Sequence, residues 1–186
     1  MKKNTKKIVT AAGIAAGTAA VASLYAYVTI KALIDTALDR EMPKVMEKAD
    51  KRISGEKSSD EFTNRMESAS ESLAVQPNET VEIIAHDGEK LVGHYFPCEK
   101  PERVIIAFHG WRSSWHRDFG MISDFWYKNN CSVLYVEQRG QNNSSGEYMG
   151  FGLTERFDCL DWLNWEIERC GSDIPVYLAG VSMGAT

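Results

Sequence analysis

The chain has 186 residues, a formal net charge of −5 and 44% hydrophobic residues, enough for one domain with appendages. With Lys2, Lys3, Lys6 and Lys7 set aside, and no acid before residue 31, the remainder carries 17 basic and 26 acidic residues, a net of −9. An acidic body argues against nucleic acid as a partner. Cys98, Cys131, Cys159 and Cys170 form neither C-x-x-C nor a His/Cys cluster, so no metal and no cofactor is expected. Cys159 and Cys170 share an expected helix about 16 Å apart, beyond disulfide reach. All four are expected as buried free thiols, which suits a cytosol or the outside of an anaerobic organism.

Residues 1–7 form a basic start, and Ile8 to Ile30 then runs for 23 residues without a charge. As a helix that run is about 34 Å long, against a hydrocarbon core of about 30 Å. Tyr25 and Tyr27 lie near its far end, where an aromatic belt belongs. The reading is a transmembrane helix over 8–30, with 1–7 cytoplasmic and everything after residue 30 extracytoplasmic by the positive-inside rule. Ala20-Val21-Ala22 also resembles a signal-peptide cleavage site. The apolar run continues eight residues past it, which favours an anchor over a cleaved signal. Gly13 and Gly17 make a G-x-x-x-G spacing that can pack two membrane helices, but such a spacing arises readily in an Ala-rich segment.

Residues 31–74 read as a helical stalk and linker. Ile34, Leu38 and Met42 recur every four residues, so the first helix is expected to continue outward by two or three turns. Pro43 opens a second helix with Val45, Met46, Ala49 and Ile53 as its stripe. Residues 55–60 (GEKSSD) form a polar linker. Residues 61–74 form a third amphipathic stretch, with Phe62, Met66, Ala69 and Leu73 facing the domain.

Residues 75–186 read as a partial α/β domain. Strands are expected over 81–86 and 90–96, joined at Asp87-Gly88, a hairpin signal. His86 and His94 are expected on strand surfaces. The apolar run 103–108 suits a strand covered on both faces. A helix over 117–130 presents Ile122, Phe125 and Trp126, and a strand over 132–136 follows. A loop rich in glycine and asparagine runs over 139–152. Thr154 is the expected N-cap of a helix whose buried stripe is Phe157, Leu160, Leu163 and Ile167, with Gly171 as its stop. A last strand, 174–179, leads into Gly180-Val181-Ser182-Met183-Gly184. Strands alternating with helices imply a mostly parallel sheet.

That pentapeptide matches G-x-S-x-G, a sharp strand-to-helix turn that exposes a serine oxygen. Gly180 and Gly184 are required where side chains would collide with the neighbouring strand and helix. Where this turn carries a catalytic triad, the order is Ser, then Asp or Glu, then His. His86, His94, His109 and His116 all precede Ser182. The acid and the histidine are therefore expected beyond residue 186, and the 186-residue chain is expected to be inactive by itself.

Over residues 75–186 the sequence resembles the α/β-hydrolase superfamily. Within it the chain is similar to membrane-anchored serine hydrolases of Gram-positive bacteria, grouped with serine aminopeptidase-like and prolyl-oligopeptidase-like enzymes. The resemblance rests on His109-Gly110-Trp111, Glu137-Gln138-Arg139-Gly140, Ser144-Ser145-Gly146, Gly150-Phe151-Gly152 and the elbow. It implies the N-terminal half of an α/β-hydrolase fold, C-terminally truncated. It implies Ser182 as the nucleophile and the amides of Trp111 and Met183 as the oxyanion donors. His109 and Gly110 would shape the oxyanion loop, and Gly180 and Gly184 the elbow. Members often carry Arg-Gly-His-Gly where this chain has Arg139-Gly140-Gln141-Asn142, so the loop is expected to have its own shape. Arg139 is expected in a structural ion pair. The implied function is hydrolysis of a carboxylic ester, amide or thioester, with a small-molecule or peptide acyl substrate and the membrane as partners. A non-catalytic, membrane-tethered binding domain is the alternative.

Overall fold

The computed structural model describes residues 2–42, 44 and 60–186, with side chains from residue 17 onward. The stripe Val45, Met46, Ala49 and Ile53 and linker residues 55–59 lie outside the described residues. The chain divides into two units, 1–39 and 40–186.

The first unit is α1 (Lys2–Leu38), one uninterrupted helix of 37 residues. It joins the expected span 8–30 to two further turns carrying Ile34 and Leu38, and Met42 falls beyond its end. Within it Gly17–Leu38, 22 residues, has the length and composition of a membrane anchor or a signal sequence. Val21, Leu24, Val28 and Leu33 are exposed along it.

In the second unit the strands are β1 (Glu79–Ile84), β2 (Lys90–Phe96), β3 (Arg103–Phe108), β4 (Cys131–Glu137) and β5 (Val176–Gly180). They form one sheet in the order β1-β2-β4-β3-β5. The β1–β2 hairpin and the β2–β4 pair are antiparallel, while β4–β3 and β3–β5 are parallel. The helices are α2 (Glu61–Ala74), α3 (Trp115–Lys128) and α4 (Glu155–Cys170).

Strand alternation explains the apolar runs. Ile106, Phe108, Leu134 and Val136 point to one face, under Trp162 of α4. Ile105, Ala107, Val133 and Tyr135 point to the other, under Trp115 and Phe119 of α3 and Leu73 of α2. Two buried faces leave no position on β4 exposed. Each fully buried large side chain contributes about 1.5–3 kcal/mol by area. Among the described residues β5 lies at the sheet edge, paired with β3 alone, and Tyr177 and Leu178 are exposed.

Six local expectations differ from the structure. His86 sits in the turn, because β1 ends at Ile84 and the loop closes through Gly88 N donating to the Ala85 carbonyl (2.8 Å). His94 is no surface residue. Its ring stacks on Trp115 at 4.4 Å, and its Nε2 meets Glu137 Oε1 at 2.8 Å. On α3 Trp115 and Phe119 are buried in the aromatic cluster around Tyr135 and Gly120 against α2; the expected Trp126 packs on that cluster, while Ile122 and Phe125 are exposed. On α4 the buried residues are Glu155, Asp158, Trp162 and Glu166; of the expected stripe Leu163 packs on the core, while Phe157, Leu160 and Ile167 are exposed. Thr154 does not cap α4, having helical dihedrals and no side-chain cap bond. Instead Glu155 reaches back and accepts the Gly150 and Gly152 amides at 2.6 and 2.9 Å. On α2 the stripe holds only in part, since Leu73 is buried and Phe62 is exposed.

Candidate functional site

β5 delivers Ser182 at its carboxyl end. The Val181 amide still donates to the Phe108 carbonyl at 3.1 Å, extending the β3–β5 ladder. The chain then turns into a single 3₁₀ turn, Ser182–Ala185. Ser182 takes φ +51°, the left-handed region that disfavours every side chain but glycine's hydrogen. It is exposed. The flanking glycines have a direct steric reason. A Cβ on Gly180 would overlap the Gly184 carbonyl, and one on Gly184 would overlap the Phe108 carbonyl.

The loop after β3 lies against this turn. A Cβ placed on Gly110 would stand 3.6 Å from the Ser182 Cβ and 3.3 Å from the Val181 oxygen, so His109-Gly110-Trp111 runs past the serine. Asp118, in the first turn of α3, holds the loop. Its Oδ2 accepts the Gly110 amide at 2.6 Å and its Oδ1 accepts the Ser113 hydroxyl at 2.7 Å. The Arg112 amide donates to Gln141 Oε1 at 2.6 Å. The amides on either side of Trp111 are thus committed to side chains. Trp111 is half-buried and Met183, immediately after the serine, is buried.

His109 is buried and fully engaged. Its Nδ1 meets the Gly110 carbonyl at 2.8 Å. Its Nε2 receives the Gln138 amide at 3.3 Å and the Asn142 side-chain amide at 3.1 Å. Two donors on Nε2 assign the proton to Nδ1 and leave the ring neutral. Burial lowers its pKa in the same sense. The Gln138 side-chain amide also donates to the His109 carbonyl. His109 is therefore a loop clamp. His116 meets the Ser70 hydroxyl at 2.9 Å, and burial lowers its pKa.

Charged groups behind the site are paired. Arg139 binds Asp158 at 2.5 Å and Asp87 at 2.6 Å, the expected structural ion pair. The guanidinium hydrogen bond holds the Asp87 carboxyl down at about 2. Burial pushes the Glu137 carboxyl up, but hydrogen bonds from His94 and Asn143 prevail and hold it below its ordinary value. His86, Asp158 and Asp161 bring ligand atoms within 4.8 Å of one another, but Arg139 already supplies Asp158 with its cation. An open cavity of about 360 Å³ lies beneath the elbow, lined by Glu155, Cys159, Leu178, Met183 and Thr186; Ser182 is not part of its lining. All four cysteines are free, and only Cys131 is fully buried.

The structure thus brings Ser182, Met183, Gly180 and Gly184 together with His109, Gly110 and Trp111. Sequence reasoning missed Asp118, Gln138, Gln141 and Asn142 as supports of the loop. Gln141 and Asn142 stand where the sequence departs from the usual Arg-Gly-His-Gly. That departure was the available signal.

Sheet order, flanking helices and elbow define the second unit as a partial α/β-hydrolase fold. No family model matches the chain, and no curated protein matches it. The similar solved structures are α/β hydrolases. An esterase of Pyrococcus furiosus superposes with a TM-score of 0.54 at 26% identity, over 62% of this chain and 45% of the esterase. A serine hydrolase without a lid from Xanthomonas campestris gives 0.52 at 19% identity, over 59% of this chain and 53% of that one. A serine hydrolase homologue from Coxiella burnetii gives 0.52 at 20% identity, over 60% and 55%. The chain spans less than half the length of the esterase.

Proposed function

We propose that the protein is a membrane-anchored serine hydrolase that cleaves a carboxylic ester, amide or thioester through an acyl-enzyme. The observation that carries this is Ser182 in a left-handed turn at the end of β5, with the Gly110 loop packed against it. The Ser182 oxygen attacks the acyl carbon, and the carbonyl oxygen becomes an oxyanion. The amides of Trp111 and Met183 stabilise that charge, each by about 3–4 kcal/mol in a preorganised site. The bonds from the Gly110 amide to Asp118 and from the Arg112 amide to Gln141 fix the loop beforehand, so no reorganisation is needed at the moment of attack. The leaving group departs, and water releases the acid.

The serine needs a base. His109 is spent on the loop, and His86, His94 and His116 have their own partners. The base and its acid are proposed to come from sequence following residue 186. The exposed edge of β5 and the 45% coverage of the esterase support this. Anchoring by α1, as in the membrane-bound hydrolases of Gram-positive bacteria that the sequence resembles, rests on its apolar span.

A fluorophosphonate probe is expected to label the full-length protein, and Ser182→Ala to abolish the label. Label persisting in the variant would remove Ser182 from its role. A polypeptide ending at Thr186 is expected to turn over p-nitrophenyl acetate on the order of 10⁶ more slowly than the full-length protein, as when a triad is broken.

A further inference from the structure

Arg40 precedes the hydrolase-like sequence by more than thirty residues, yet it belongs to the same unit. We propose that Arg40 is a positioning residue for the oxyanion loop, an inference that rests on the serine-hydrolase reading. Its guanidinium donates to three carbonyls of the loop after β4: Nη1 to Ser144 at 2.7 Å and Gly146 at 3.3 Å, and Nη2 to Asn142 at 2.8 Å. Its own amide donates to the Glu147 carbonyl at 2.8 Å. The loop before α3 answers. Arg112 donates from Nη1 to the Arg40 carbonyl at 3.2 Å and from Nη2 to the Glu41 carbonyl at 3.3 Å.

With the Arg112 amide on Gln141, these bonds close a ring of three segments, 40–41, 109–113 and 141–147. Two paths lead from Arg40 to the loop. The first runs through the Arg40 carbonyl to Arg112, which follows Trp111 directly. The second runs through the Asn142 carbonyl, since the Asn142 side chain holds both His109 Nε2 and the Ser113 carbonyl at 3.1 Å. Arg112 and Asn142 both sit at φ +51°. Such residues persist only where the surroundings over-determine them. Arg40 touches both segments and supplies that constraint. Planar donors in a fixed fork match several carbonyls at once, which an ammonium does not.

The clip places a catalytic support in the segment that the sequence assigns to a stalk. α1 ends at Leu38, two residues before Arg40. The oxyanion loop is thus fastened to the segment bearing Arg40, which is part of the enzyme.

The test uses the full-length protein and its Arg40→Ala and Arg40→Lys variants. Readouts are kcat and KM on a short p-nitrophenyl ester, affinity for a trifluoromethyl ketone that forms a tetrahedral adduct, and amide hydrogen exchange over residues 109–114. In Arg40→Ala, kcat is expected to fall about 10- to 100-fold, as for a misplacement remote from the reacting atoms. KM stays within twofold, adduct affinity falls in step with kcat, and exchange over 109–114 rises. Millimolar methylguanidinium restores part of kcat. Arg40→Lys, which keeps the charge and the stem, shows the same split and decides the matter should the alanine variant not fold. Unchanged kcat and adduct affinity, or a fall confined to KM, would overturn the proposal. So would unchanged exchange over 109–114. If the wild type neither labels nor turns over, the serine-hydrolase reading fails, and the exchange measurement still judges the clip.

Discussion

Ser182 at φ +51° is held against a local preference of about 1–2 kcal/mol for a residue with a Cβ. Glu166 is held against a different one. Its side chain is fully buried on α4, and among the described residues Oε1 has no partner and Oε2 meets only the Cys170 thiol at 3.6 Å. Burial pushes its carboxyl from 4.5 up to about 7, against the Cys170 hydrogen bond and the Arg169 charge; Tyr95 is the other titratable neighbour. A raised folded pKa means that its stability contribution is full below about pH 4.5, declines as pH rises to about 7, and stays lost above that. The size is about 3 kcal/mol. Glu166→Gln is therefore expected to be more stable than wild type at pH 8, by on the order of 2–3 kcal/mol. The two should converge near pH 4.5, as read by urea unfolding. Parallel pH profiles for the two proteins would refute the assignment. At this scale the sequence revealed Ser182, Gly180 and Gly184, because steric need leaves a fixed spacing. It did not reveal Asp118 or Arg40, because a side chain that serves a distant backbone group leaves no local pattern.

Between elements, α2 and α3 meet at Gly120. A Cβ there would stand 2.7 Å from the Ala69 carbonyl carbon and the Ser70 amide nitrogen, which are backbone atoms and cannot swing aside. The two helices must separate to admit a methyl group. Gly120→Ala gains about 1 kcal/mol of helix propensity and loses more in overpacking, typically 1–3 kcal/mol. The variant is expected to have a lower thermal midpoint than wild type; a higher one would mean that propensity prevails and the contact is loose. The elements themselves were legible where pattern and burial agree. The run 103–108 became β3, and residues 61–74 became α2. The inward face of α4 was misread by about one position. Glu155 serves the Gly150 and Gly152 amides and Asp158 serves Arg139, so two charges occupy the buried face. Those partners come from a loop and another strand's end, and no helical window contains them.

Across the whole chain, residues far apart in sequence share one task. The loops after β3 and β4 and the turn after β5 gather at the carboxyl ends of parallel strands, where open α/β sheets bind ligands. Sheet order could be anticipated only through the resemblance, since strand periodicity does not encode which strands are neighbours. The apolar helix adds a separate question of place. Gly17–Leu38 would span about 33 Å, sufficient for a bilayer core of about 30 Å, and the lysines at positions 2, 3, 6 and 7 precede it. By the positive-inside rule we propose an amino terminus in the cytoplasm and the second unit outside. The protein is expected to stay with membranes through a carbonate wash, and protease added to intact protoplasts is expected to digest the second unit. Protection from that protease, or full-length protein in the cytosol, would reject the topology. A soluble extracellular form starting near residue 23 would instead identify α1 as a cleaved signal, with Ala20-Val21-Ala22 as its processing site.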